Sequence, residues 1–253
     1  MPHFGLIGYP LTHSFSPQWF HTFFKEQGLT GHQYRTYPLP NLEGLQALFE
    51  QDPNLMGLNV TIPYKEAVIP MLDWVHPTAQ EVGAVNCITK VLVHNQWELH
   101  GYNTDVIGFK ESVLLHFPEL NDTHTALIFG HGGAAKAARH VFHSLEVSTL
   151  TVGRNPLKAD ITYQALIQDP SPAHKALIWV QTTPCGMYPN TQEALPLPYN
   201  ALTPKHLLFD MIYNPPQTLT MQYAKNKGAR VCNGYNMLEK QARASAQIWK
   251  LCR

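Results

Sequence analysis

Ala126-Leu127-Ile128-Phe129-Gly130-His131-Gly132-Gly133-Ala134-Ala135-Lys136-Ala137-Ala138 is the stretch that decides how this chain folds. Four apolar residues fit a buried strand, the glycines fit a tight turn, and the alanine-rich continuation fits a helix. The spacing is GxGxxA, a close variant of the dinucleotide fingerprint. Gly130 permits the turn, Gly132 lets the backbone approach a pyrophosphate, and Ala135 allows helix and strand to pack closely. Gly133 and Ala134 lie where the helix begins, and its free N–H groups suit phosphates. The competing reading is a glycine loop that only turns the chain. It leaves unexplained why strand and helix fall on the sides that the fingerprint requires.

Outward from this unit the same alternation continues. Apolar runs suited to buried strands occur at 4–7, 55–60, 126–129, 149–152, 176–180, 207–209 and 230–232. Amphipathic helical stretches lie near 17–28, 41–50, 105–116, 134–145, 218–227 and 237–251. Strands alternating with helices predict parallel sheets with crossover helices, an α/β chain. A hairpin interrupts the pattern at 84–89 and 91–93, with a turn at His94-Asn95 and a return at 97–100. A boundary is expected near 101–104. The expectation is two α/β domains: residues 1–102 with 236–253, carrying a mostly parallel sheet, and residues 103–235, Rossmann-like and dinucleotide-binding.

Cofactor choice is legible at the end of the second strand of that Rossmann-like domain. An NAD site places a carboxylate there for the ribose 2′-hydroxyl. Here Gly153-Arg154-Asn155-Pro156-Leu157-Lys158 follows, and Asp160 lies beyond. Arg154 and Lys158 suit a 2′-phosphate, which arginine can grip with two N–H groups. NADP is therefore expected over NAD; the plainer alternative is a solvated basic loop.

Composition narrows the function classes. The 253 residues are 44% hydrophobic and only 14% charged, which is globular and not disordered. Lys+Arg and Asp+Glu are both 18, so no global field favours nucleic acid or an anionic membrane. No apolar run approaches the roughly 20 residues of a bilayer span, and the N-terminus lacks signal-peptide character. The scattered cysteines Cys87, Cys185, Cys232 and Cys252 suggest reduced thiols in a cytoplasmic protein. The histidines form no HxxxH or HExxH pattern, so no metal site is expected.

Three polar clusters precede the glycine loop. In Gly8-Tyr9-Pro10-Leu11-Thr12-His13-Ser14-Phe15-Ser16-Pro17, Ser16 and Pro17 read as an N-cap and N1 pair, while Ser14 is left unexplained by capping. Two hydroxyls at the C-terminal end of a strand suit a polyol ligand. In Asn59-Val60-Thr61-Ile62-Pro63-Tyr64-Lys65, Thr61 ends a strand and Pro63 is expected to open a short helix; a lone Lys65 is ordinarily a solvated group. The third is Gly83-Ala84-Val85-Asn86 with Gly101-Tyr102-Asn103-Thr104-Asp105, where Asp105 could simply complement a helix dipole.

Together these clusters resemble the shikimate dehydrogenase family, which carries GxPxxHSxSP, NVTxPxK, GAVNT and GxNTD stretches in this order. The resemblance runs on through the glycine loop to Asp210-Met211-Ile212-Tyr213-Asn214-Pro215. It ends at Asn233-Gly234-Tyr235-Asn236-Met237-Leu238-Glu239-Lys240-Gln241-Ala242. It implies two domains with a cleft between them and a C-terminal helix returning to the first. It implies reversible, NADP-dependent reduction of 3-dehydroshikimate to shikimate, on the route to chorismate and the aromatic amino acids. Lys65 and Asp105 would stand at the reacting oxygen. Ser14 and Ser16 would bind the substrate carboxylate, with Tyr213 nearby, and Thr61, Asn86 and Gln241 would hold ring hydroxyls. Gly234 and Met237 would lie near the nicotinamide. A small-molecule substrate is the implied partner, with the protein a monomer or homodimer.

The chain departs from the family pattern in places. Gly153-Arg154-Asn155 stands where Asn-Arg-Thr is frequent, Gln181-Thr182-Thr183 replaces Asn-Ala-Thr, and Cys87 replaces the usual Thr after Asn86. None of these removes a proposed catalytic group. Two alternatives stay open: an enzyme of this family acting mainly on quinate with broader cofactor use, and a non-catalytic NADPH-binding sensor.

Overall fold

In a computed structural model the chain divides into two compact units, Met1–Ile107 with Glu239–Arg253, and Gly108–Leu238. The structure describes residues 1–11 and 14–252. Thr12 and His13, within the first polar cluster, lie outside the described residues.

The first unit holds β1 (His3–Gly8), α1 (Ser16–Glu26), β2 (Gln33–Pro38), α2 (Leu45–Gln51), β3 (Leu55–Val60), β4 (Trp74–Val75), α3 (Pro77–Val82), β5 (Cys87–Val93) and β6 (Gln96–Tyr102). Its sheet runs β2-β1-β3-β5-β6-β4. β1 pairs in parallel with β2 and β3, and β5 is antiparallel to β3 and β6. The chain goes from β1 to β2 on one side, then crosses to β3 on the other. The C-terminal ends of β1 and β3 thus form a switch point, where α/β sheets gather ligands. Because β5 is reversed, its start lies at that same edge, as does the end of β6.

α4 (Asp105–His116) leads into the second unit. There follow β7 (Thr125–Phe129), α5 (Gly133–Ser144), β8 (Ser148–Gly153), β9 (Ile161–Thr162), α6 (Tyr163–Gln168), α7 (Ser171–Lys175), β10 (Ile178–Gln181), β11 (Leu207–Asp210), α8 (Leu219–Asn226) and β12 (Arg230–Cys232). All pairings in the sheet β12-β11-β10-β7-β8-β9 are parallel. This is the doubly wound Rossmann order, with its switch between β7 and β10. Leu127, Phe129, Trp179 and Leu208 form a fully buried centre.

α9 (Tyr235–Ile248) is the last helix. From Glu239 onward it belongs to the first unit, where Ala242, Ala246 and Trp249 pack on Phe4, Phe20 and Cys87. Trp249 Nε1 donates to the Ile88 carbonyl at 2.9 Å. Gly57 allows this approach, since a Cβ there would stand 2.2 Å from Trp249 Nε1.

Several local expectations are corrected. The helix expected at 41–50 is split into a 3₁₀ turn, Leu42–Gly44, and α2. Residues 84–86 are loop, not strand. Ala176 caps the end of α7, so β10 starts later than expected. Pro63 opens no helix; it sits in a turn closed by the Tyr64 N–H to the Thr61 carbonyl. The strands β2, β4 and β9 and the helices α3, α6 and α7 escape the pattern reading because they are short or polar. β2 is an edge strand in which Tyr34 alone is buried. The hairpin turn, in contrast, lies at His94-Asn95 as expected, both with positive φ, the geometry that suits a two-residue turn.

Candidate active site

The edge formed by β1, β3, β5 and β6 gathers most of the polar residues singled out in the first unit. The Thr61 N–H donates to the Ile7 carbonyl, and the Tyr9 N–H to the Ile62 carbonyl, so the loops after β1 and β3 are joined. Gly8 makes that possible: a Cβ would meet Thr61 Cγ2 at 2.5 Å. The Val85 N–H donates to the Lys65 carbonyl at 2.7 Å, tying the turn after β3 to the loop before β5.

On this frame Lys65 Nζ donates to Asp105 Oδ2 at 2.6 Å, across 40 positions of sequence. The Asp105 side chain is 6% exposed and the Lys65 side chain 19%. A pair this short and this shielded is charge-assisted, and loss of either partner strands the other. Asp105 opens α4, whose first turn is held by Asn103 Oδ1 accepting from the Val106 N–H at 3.2 Å.

Asn86 is 1% exposed. Its Oδ1 accepts from the Thr104 N–H at 2.6 Å and from the Thr104 hydroxyl at 3.1 Å. Its Nδ2 donates to Gln241 Oε1 on α9 at 3.0 Å. Thus Lys65 meets Asp105 and Asn86 meets Gln241, while Thr61 lies at the end of β3, half-buried.

The serines require a correction. Ser16 is not an N-cap: it is the first residue of α1, buried, and Phe15 precedes it without a side-chain cap. Ser14 has a local role instead, its Oγ accepting from the Ser16 N–H at 3.2 Å.

In the second unit Gly130 closes β7 with φ +116°, a backbone region that disfavours side chains, and a Cβ would stand 2.5 Å from Thr182 Oγ1. Gly132, immediately before α5, would meet nothing within 4 Å. No internal packing demands a glycine there, which fits a backbone kept bare for something from outside. Gly133 and Ala134 open α5 partly exposed, and Ala135 is buried. Arg154 and Lys158 are exposed beyond β8. The turn that carries them is held by Asn155: its side chain accepts from the Leu157 N–H and its carbonyl from the Lys158 N–H. Asp160 is committed elsewhere, accepting from the Thr151 N–H at 2.8 Å and the Thr151 hydroxyl at 2.6 Å. Tyr213 is half-buried after β11. The Gly234 N–H donates to the Ile212 carbonyl at 3.1 Å, and a Cβ there would collide with the Met211 carbonyl. Met237 is buried in the first turn of α9.

Three further groups matter. Gln181 is fully buried and its side chain braces the following loop, accepting from the Thr183 N–H and donating to the Cys185 carbonyl. Burial raises the pKa of the Cys185 thiol, with Glu193 and Asp210 adding to it, which disfavours the thiolate. Burial pushes the Asp210 carboxyl up to about 7, although Thr218 and the Ile212 N–H both donate to it. Among the described residues no group of three His, Cys, Asp or Glu is placed to hold a metal ion. No helix there is long and apolar enough to cross a membrane.

Comparison with known proteins identifies the family. Residues 6–88 match the shikimate dehydrogenase substrate binding domain. The NADP(+)-dependent shikimate dehydrogenase of Desulforamulus reducens is 33% identical, over 97% of this chain and 88% of its own. Shikimate dehydrogenase 1 from Peptoclostridium difficile superimposes with a TM-score of 0.83 at 32% identity, covering 100% of this chain and 93% of that one. The Thermus thermophilus enzyme, solved in complex with NADP(H) and shikimate, superimposes with a TM-score of 0.83 at 29% identity, covering 100% and 94%.

Proposed function

Because this chain belongs to the shikimate dehydrogenase family, we propose that it catalyses the NADP-dependent, reversible reduction of 3-dehydroshikimate to shikimate. The observation that carries the reading is the shielded ion pair of Lys65 with Asp105 at 2.6 Å. When bound, NADPH supplies a hydride. As the ring carbonyl is reduced, negative charge grows on its oxygen. Lys65 Nζ neutralises that charge and delivers the proton. Asp105 holds the ammonium in place through the 2.6 Å contact.

Around this centre, Ser14 and Ser16 serve the substrate carboxylate, with Tyr213 as a further contact. Thr61, Asn86 and Gln241 hold the ring hydroxyls. For the cofactor, Gly130, Gly132, Gly133 and Ala134 offer backbone to the pyrophosphate, and the bare approach at Gly132 supports this. Arg154 and Lys158 take the 2′-phosphate; with Asp160 bound to Thr151, no carboxylate competes for a ribose hydroxyl. Gly234 and Met237 border the nicotinamide. The protein works in the cytoplasm on a small-molecule substrate, without nucleic acid or membrane, as a monomer or homodimer.

Initial rates of reduced-nicotinamide formation with shikimate or quinate, each with NADP or NAD, test the reading. Shikimate with NADP should be fastest. A faster rate with quinate would reassign the substrate. Absence of turnover with every pair would leave a binding protein.

A further inference from the structure

Behind Asn86 and Gln241 the hydrogen bonds continue into the first unit. The Tyr34 hydroxyl donates to Asn59 Oδ1 at 2.8 Å, and Asn59 Nδ2 donates to the Asn86 carbonyl at 3.2 Å and to Ser245 Oγ at 2.9 Å. An amide nitrogen only donates. Ser245 therefore accepts from Asn59 and turns its own proton to the Gln241 carbonyl, 3.0 Å away and one helical turn back. Thr104 Oγ1 spends its proton on Asn86 Oδ1 at 3.1 Å, so it can only accept from Ser245 Oγ, 3.3 Å away, and the Ser245 proton is shared between Thr104 Oγ1 and the Gln241 carbonyl. Asn59, Asn86, Thr104 and Ser245 are all buried, the last two completely.

This relay has a direction. Two donors from Thr104 occupy Asn86 Oδ1, so the Asn86 nitrogen is sent to Gln241 Oε1. That occupies the Gln241 oxygen and leaves its nitrogen as the end available to a ligand. We propose that Thr104 and Ser245 are positioning residues that fix the polarity of the two ring-binding amides, so that Asn86 and Gln241 meet the substrate ring as hydrogen-bond donors. The inference rests on the reading that the ring binds here. It assigns ring recognition to oxygens that accept from these amides, and it gives two fully buried hydroxyls a task that neither the hydride step nor the cofactor site requires.

The test is steady-state kinetics of Thr104→Val, Thr104→Ser and Ser245→Ala. Valine keeps the volume of threonine but puts a methyl where the hydroxyl was, leaving the Thr104 N–H as the one donor to Asn86 Oδ1; serine keeps the hydroxyl. Thr104→Val should raise KM for shikimate about tenfold, the scale of one neutral hydrogen bond. Its kcat should stay within about twofold, with KM for NADP unchanged, and Thr104→Ser should return KM close to that of the parent. Ser245→Ala should shift the same constant in the same direction. The double variant should lose less than the product of the single effects, because both hydroxyls act through one relay. A Thr104→Val protein in which kcat and both KM values worsen together, or a Thr104→Ser protein as impaired as the valine variant, would overturn the proposal. So would a KM for shikimate unmoved in both Thr104→Val and Ser245→Ala. If Thr104→Val does not fold, Ser245→Ala decides by the same criteria. A parent enzyme inert towards shikimate would instead overturn the function proposed above, and this inference with it.

Discussion

In the first unit the candidate site is built from side chains, in the second from backbone. Lys65, Asp105, Asn86 and Gln241 are held by short hydrogen bonds at a sheet edge, with the two carboxamides and the carboxylate largely withdrawn from water. At Gly132 the second unit offers backbone with nothing packed over it, and beyond β8 it offers exposed cations. The difference follows from what each must recognise. A ring bearing several hydroxyls has to be met by donors and acceptors fixed in direction, and only a buried network fixes them. A phosphate is a diffuse charge with many acceptors, which a helix N-terminus and an exposed arginine head can satisfy.

Substitutions that sharpen this contrast differ in size. The largest effect is expected at Lys65: Lys65→Ala should lower kcat by about 10²–10⁴-fold, the usual range for a positioned proton donor. KM for shikimate should move much less. A variant with intact kcat and lost binding would make Lys65 an anion anchor.

The glycines of the second unit should separate cofactor binding from folding. Gly132→Ala should raise KM for NADP by about tenfold, since a methyl intrudes where a pyrophosphate approaches, and leave the thermal midpoint in place. Gly130→Ala should also lower that midpoint, by the equivalent of about 1–3 kcal/mol, because alanine is strained at positive φ and meets Thr182. Equal loss of stability in both variants would mean that Gly132 serves packing after all.

The last effect is one of pH and belongs to Asp210. Its carboxyl stays protonated in the folded unit up to about 7, whereas in an unfolded chain it ionises near 3.8. Between those values the folded state holds the extra proton, so stability falls as pH rises, by at most about 1.4 kcal/mol per pH unit. Denaturant midpoints across pH 4–7 should fall less steeply in Asp210→Asn than in the parent. Parallel profiles would place the buried charge elsewhere.

The long elements were legible because each writes its own period. α4 occupies the span predicted for it, and the hairpin turn at His94-Asn95 announces itself through two residues that tolerate positive φ. β2 and β9 were not legible. At the sheet edges, with few side chains buried, they carry no apolar run. The start of α1 differs from the expected N-cap at Ser16 for a related reason: whether the Ser14 or the Ser16 hydroxyl braces it depends on where the helix begins, a matter of one or two residues. Ser245 left only a faint trace, a serine among alanines one turn after Gln241.

Sequence alone determined the alternating α/β order, the glycine loop and the residue types suited to the chemistry. Each of these is written in contiguous residues governed by local sterics and hydrophobic periodicity. Tertiary structure decided which of those residues meet. Lys65 and Asp105 lie 40 positions apart, and Asn86 and Gln241 lie 155 apart. Their contact depends on strand register, on the reversal of β5 and on the docking of α9 through Trp249. Hydrogen bonds so distant in sequence are selected by the packing of the whole unit, and no local pattern encodes them.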